Sequence, residues 1–250
     1  MTPLKLRGKT SLEILRLSLA EGAKQARGLA VIIDVFRAFT CEPLMYHYGA
    51  ERVYIEGDID RCRRMRGDAI LVGEQNEVPI EGFDLTNSPR LIMEKGREYF
   101  AGRTVIHRTT SGVTGALAAL ERSDEVLLAS YVNARATARY IAKAAPATVS
   151  IVGMGIRSVE KAPEDECCGD YIEHLLSGRT YDHIEALRAI LAHETAQKFL
   201  RGDTPYLPRE DPAICLQRDM FDFILRAERE GELVTARKLS GVPDVEVDHP

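Results

Sequence analysis

The chain contains only five cysteines, scattered except for the adjacent Cys167 and Cys168. No C-x-x-C pair occurs and vicinal cysteines rarely bridge, so neither a disulfide framework nor a structural zinc site is supported. Reduced thiols in a cytoplasmic protein are the expectation. No stretch is long and apolar enough to span a bilayer. The polar residues 1–10 lack the apolar segment of a secretory signal. Positive charge is not in excess either. The net charge is −5, which argues against the basic footprint of a nucleic-acid-binding protein. The one basic run, Arg61-Cys62-Arg63-Arg64-Met65-Arg66, reads as a solvated helix face. No histidine pair has the H-E-x-x-H spacing, and both the Walker loop and the G-x-S-x-G elbow are absent.

What is present is an ordinary globular composition, 45% apolar and 28% charged over 250 residues, enough for a sizeable core. Residues 29–34, 69–73, 104–107, 125–130 and 148–153 are short apolar runs rather than alternating ones, as expected of strands covered on both faces. Residues 53–55 form a shorter candidate. Helical patterns occupy residues 11–23, 112–121, 134–144 and 163–176. This alternation predicts a layered α/β fold with a largely parallel or mixed sheet. The last third reads as two long helices, 182–200 and 211–230, separated by a break at 202–208. One domain over 1–250, with residues 182–250 a mainly helical extension, is the preferred parse.

Polar groups collect just past the strand ends, where α/β sheets build their sites. The densest stretch is residues 81–90, Glu-Gly-Phe-Asp-Leu-Thr-Asn-Ser-Pro-Arg. Asp84 is its best-placed acid, and Asn87 and Ser88 are candidate ligand contacts. Ser88 before Pro89 also fits a helix cap, and a helix N-terminus is itself an anion site. Asp34 ends an apolar strand, so its carboxylate needs a cation or donors nearby. Arg37 is one candidate donor, magnesium a second, and capping of the next helix the structural alternative. Glu74 holds the equivalent place after the next strand, whereas Glu77 reads as a surface charge.

Arg108, Thr109, Thr110, Ser111 and Gly112 link a strand to a helix, with three hydroxyls and a glycine suited to an oxyanion. His107, just before them, reads equally as core or as a titrating neighbour. Asn133 follows another strand and could orient substrate. Glu164 and Asp165 follow a glycine-rich turn, although acids in a first helical turn are favoured without any function. Cys168, with no base evident, reads as a buried helix residue.

Taken in order, these pieces resemble the 2-phosphosulfolactate phosphatase family. The resemblance rests on V-I-I-D-V-F-R-A at 31–38, G-E at 73–74, E-G-F-D-L-T-N-S-P at 81–89, T-T-S-G at 109–112, N-A at 133–134, and Glu164-Asp165 with Cys168. It runs from about Leu29 to the last helices, and the 81–89 run is its specific element.

The resemblance implies a three-layer α/β/α fold and a magnesium-dependent hydrolase. The reaction implied takes (2R)-2-phospho-3-sulfolactate to sulfolactate and phosphate, a step of coenzyme M biosynthesis. It implies Mg2+ at acids among Asp34, Glu74, Asp84, Glu164 and Asp165, and a small phosphorylated acid as partner. No nucleic acid or membrane partner is implied, and a homo-oligomer is left open. The chain departs from the family at Arg108, where threonine is common, at Ser111 and Val113 of a T-N-G-T run, and at Gln75 and Asn76, where arginine and glycine often stand. An anion-binding homologue without turnover, or a phosphatase of another small phospho acid, are the competing readings. D-x-D is absent because Val35 and Phe36 follow Asp34, so attack by water is favoured over an acyl-phosphate.

Overall fold

Apolar runs rich in valine, isoleucine and leucine extend as strands because a sheet covered on both faces buries every side chain. The computed structural model describes residues 12–240. Its strands are β1 (Glu13–Ser18), β2 (Leu29–Ile33), β3 (Arg52–Ile55), β4 (Ile70–Gln75), β5 (Val78–Pro79), β6 (Thr104–Arg108), β7 (Glu125–Ala129), β8 (Thr148–Gly153), β9 (Ile224–Glu230) and β10 (Leu233–Leu239). Its helices are α1 (Leu19–Gln25), α2 (Ala38–His47), α3 (Ile59–Met65), α4 (Pro89–Phe100), α5 (Gly112–Ala119), α6 (Ala134–Ala144), α7 (Pro163–Ser177), α8 (His183–Ala192), α9 (Glu194–Arg201) and α10 (Asp211–Cys215).

One ten-stranded sheet runs in the order β1-β8-β2-β7-β9-β10-β3-β6-β4-β5. Two parallel groups, β1-β8-β2-β7 and β3-β6-β4, are joined through the antiparallel β9–β10 hairpin. Helices cover both faces, giving the expected three-layer α/β arrangement. The period of two is visible in β2. Leu29, Val31 and Ile33 pack with α6 and α7 residues such as Ile141 and Ile172. Ala30 and Ile32 pack on the other face with α2 and α5 residues such as Phe39 and Ala116. Helix α2 is buried from Ala38 to Tyr46 and shares its core with residues of both strand groups.

Three expectations are corrected. The pattern over residues 11–23 is not one helix: Glu13–Ser18 pairs with β8 as an edge strand, and only Leu19–Gln25 is helical. Ser11, and the ends of the 1–250 span, lie outside the described residues. The 182–200 helix is broken at His193, whose extended backbone and ring Nδ1 cap α9. Residues 211–230 hold only the short α10 before β9. Helix-forming Arg226, Glu228 and Glu230 are drawn into a strand by pairing with β7 and β10, tertiary context overriding propensity. Gly231, at φ +63°, allows the reversal into β10.

Candidate active site

The carboxyl ends of β2, β4, β6 and β8 open onto one cleft. One wall is hydroxylic. Thr109, Thr110 and Ser111 connect β6 to α5 and line the cleft. Helix α5 starts there at Gly112, where a Cβ would stand 3.0 Å from Asp34 Oδ2 and 2.9 Å from the Phe39 ring. Glycine at this position is what allows the helix N-terminus and the Asp34 carboxyl to approach.

The other wall is acidic. Asp34, Glu74, Glu164 and Asp165 are each no more than 7% exposed, and all four line the cleft. Asp34 accepts a hydrogen bond from the Ala38 amide at 3.2 Å, so it does cap α2 as well as face the cleft. Burial, opposed by that amide and aided by nearby Glu74, pushes its carboxyl up to about 7. Asp165 accepts from the amides of Val35 at 2.8 Å and Gly155 at 2.7 Å. Burial raises it well above the carboxylate range, with Asp34 and Glu164 adding to the rise. Glu164 accepts from the Thr195 hydroxyl at 2.8 Å and is also raised by burial. Glu74 ties the walls together, accepting from the Thr110 amide at 2.7 Å and the Thr110 hydroxyl at 3.1 Å, and from the Glu77 amide.

Several cations reach the cleft, but most are engaged. Arg37 lines it, yet its guanidinium turns from Asp34 to the fully buried Asp211, 2.9 Å away, and to the Tyr206 carbonyl. Lys198 pairs with Glu77, which therefore belongs to the cleft rather than to an open surface. Arg157 is exposed and lines the cleft with no hydrogen bond or ion pair to another described residue. It and Ser158 hold left-handed backbone, φ +51° and +62°, in a turn closed by the Ile156–Glu160 bridge.

Four expected residues are not brought into the cleft. Asp84 bonds Arg66 at 2.6 Å with one oxygen and the Leu71 amide at 2.8 Å with the other, so it anchors its loop to the start of β4. Ser88 caps α4 through the Leu91 amide and donates to Asp211 at 2.9 Å. Arg108 reaches back to the carbonyls of Gly57 and Glu74 and the Thr110 hydroxyl, so it adds no free cation to the hydroxyl wall. Asn133 is buried, bonding the Ser130 amide and Leu128 carbonyl. Asn87, by contrast, lines the cleft. Cys168 is buried in α7, packed in the core.

Sequence reasoning missed Thr195, Lys198 and Phe199, which reach the cleft from α9 and carry no motif. It also missed Asp211, and Arg157, whose place two residues after Gly155 was the available signal. Among the described residues, no three His, Cys, Asp or Glu side chains close around a metal as they stand, and no helix is long and apolar enough to cross a membrane.

A sequence profile described as 2-phosphosulpholactate phosphatase matches residues 16–230. A probable 2-phosphosulfolactate phosphatase of Bacillus subtilis (strain 168) is 29% identical over 215 residues, covering 84% of this chain and 91% of the relative. One from Clostridium perfringens (strain 13 / Type A) is 32% identical, covering 86% and 90%. One from Synechocystis sp. (strain ATCC 27184 / PCC 6803 / Kazusa) is 28% identical, covering 83% and 92%. With the profile and these relatives matching the greater part of its length, the chain belongs to the 2-phosphosulpholactate phosphatase family, a family of phosphoric monoester hydrolases.

Proposed function

We propose that this protein hydrolyses the phosphomonoester of a small 2-hydroxy acid, releasing sulfolactate and phosphate from 2-phospho-3-sulfolactate with the help of magnesium. The observation that carries this reading is the pairing, across one cleft, of a hydroxyl-lined helix N-terminus with a wall of buried acids. Amides and hydroxyls around Thr109, Thr110 and Ser111 suit the phosphoryl oxygens, and the α5 dipole favours their charge. Arg157 is the unengaged cation at the cleft and suits the sulfonate of the substrate.

The acidic wall supports a hard cation. Asp34, Glu74, Glu164 and Asp165 offer only oxygen, and the nearby Arg37 and Lys198 are neutralised by Asp211 and Glu77. Buried carboxylates without a balancing charge either take up protons or bind a cation. Magnesium keeps several waters and needs only one or two carboxylates, so the lack of a closed three-ligand cage is compatible with it. Asp34 and Asp165, the first of which raises the second, would hold the ion. When bound it would polarise a phosphoryl oxygen and offset developing charge.

Water attacks phosphorus, and the bond between phosphorus and the C2 oxygen breaks, that oxygen leaving as the hydroxyl of the product with a proton from solvent. Glu164 is the proton acceptor for that water. One of its oxygens is held by Thr195 and the other bonds no other described side chain, and burial raises its basicity toward neutral pH. The test is phosphate release from a panel of 2-phospho acids with and without magnesium. Magnesium-stimulated release, fastest from the sulfonated substrate, is expected. Release from none would favour a binding homologue, and preference for an unsulfonated acid would move the substrate.

A further inference from the structure

One buried polar chain beside the cleft has no part in the chemistry above. Glu42 on α2 and His107 at the end of β6 are both fully buried. Glu42 Oε1 lies 2.8 Å from His107 Nδ1, and His107 Nε2 lies 3.0 Å from Asn87 Oδ1. Glu42 Oε2 is buried with no partner among the described residues. Asn87 Nδ2 bonds no other described residue and, unlike that oxygen, is not sealed from solvent. Asn87 lines the cleft, so Nδ2 is the amide atom open to it.

The protonation of this chain decides which face of the amide a ligand meets. If Glu42 were ionised and His107 neutral with its proton on Nδ1, a net negative charge would be buried with a single hydrogen bond to it. That is costly, and burial indeed raises the Glu42 carboxyl. Adding one proton removes the charge; on Glu42 Oε2 it would find no acceptor among the described residues, which leaves two ways. An imidazolium faces a carboxylate, or a neutral carboxyl donates to Nδ1. Both ways leave a proton on Nε2, which then donates to Asn87 Oδ1.

We propose that Glu42 and His107 are positioning residues that fix the Asn87 amide with its NH2 group toward the cleft, as a donor to an oxygen of a bound phosphate or phosphoryl group. This rests on the proposed function only in taking the ligand to be an oxyanion. A freely turning amide would offer its oxygen as readily as its nitrogen, and an oxygen would repel the ligand. The fixed donor removes that alternative without placing a further cation beside the acidic wall.

The first test reads the protein alone, whatever it hydrolyses. Nitrogen NMR of histidine-labelled, metal-free protein is expected to show a protonated Nε2 for His107, assigned by the resonance lost in His107→Gln. A bare, imine-type Nε2 would overturn the proposal. The second test uses inorganic phosphate as probe. Asn87→Asp, which replaces the donor by an acceptor, and Glu42→Leu are expected to weaken phosphate binding at least tenfold. Glu42→Gln, whose amide can donate to Nδ1 as a carboxyl does, is expected to recover most of the loss. Unchanged binding in Asn87→Asp, or a Glu42→Gln protein as weak as Glu42→Leu, would contradict the fixed-donor role.

Discussion

Asp34 and Asp84 both stand in polar, ligand-like stretches, yet the fold uses them in opposite ways. Asp84 meets an arginine and a backbone amide, with its side chain 24% exposed. Asp34 is buried among other carboxylates and has no cation of its own. A charge satisfied by an arginine is finished with its work. A buried charge without one remains available to a proton, a metal or a substrate. The same distinction separates Arg37, locked to Asp211, from Arg157, which no described residue holds.

The contrast can be broken at several points. Asp34→Asn is expected to lower kcat/KM by about 100-fold or more, the scale of a group acting on the reacting atoms, with the fold retained in circular dichroism. Full magnesium-dependent activity in that variant would remove Asp34 from the site. Asp211→Ala strands the Arg37 guanidinium and also frees Ser88 and the Arg90 amide. Breaking such a buried pair costs about 3–5 kcal/mol, visible as a lower midpoint in urea. Arg157→Ala is expected to raise KM for a sulfonated substrate about tenfold, the worth of one charge-assisted hydrogen bond, with kcat little changed. An equal rise for an unsulfonated 2-phospho acid would mean that Arg157 does not read the sulfonate.

The pH dependence sharpens the comparison further. The Asp34 carboxyl is raised from 3.8 to about 7 in the folded protein. Over that interval the folded state holds a proton that the unfolded chain has released, so stability falls as pH rises and levels off above 7. Glu42, Glu164 and Asp165 shift in the same direction. Thermal melts of metal-free protein are therefore expected to decline between about pH 4 and pH 7, and magnesium to flatten the decline. Asp34→Asn should remove part of the slope. Asp84→Asn, the smallest effect, should leave turnover unchanged and cost about 1 kcal/mol or less, the worth of a partly exposed ion pair.

Much of this was legible in the chain. Buried strands announce themselves as apolar runs, and the acids and hydroxyls at their ends mark where an α/β sheet gathers a site. Asp34, Glu74, Asn87 and the 109–111 hydroxyls are brought to one cleft. What was not legible depends on partners distant in sequence. Asp84 looks as reactive as Asp34 until Arg66 is seen beside it, and Arg37 looks free until Asp211 arrives from residues 174 positions away. The hairpin of β9 and β10 was hidden by helix-forming side chains, because its strand character comes from β7 and β3. Lys198 and Thr195 enter from α9, where nothing in their neighbours points to a site.

The most direct measurement is the initial rate of phosphate release from 2-phospho-3-sulfolactate by wild type and Asp34→Asn, titrated with magnesium. Release by the wild type is expected to rise with magnesium and saturate, and release by the variant to stay near background at every concentration. Equal rates in the two proteins, or wild-type release indifferent to magnesium, would contradict that expectation.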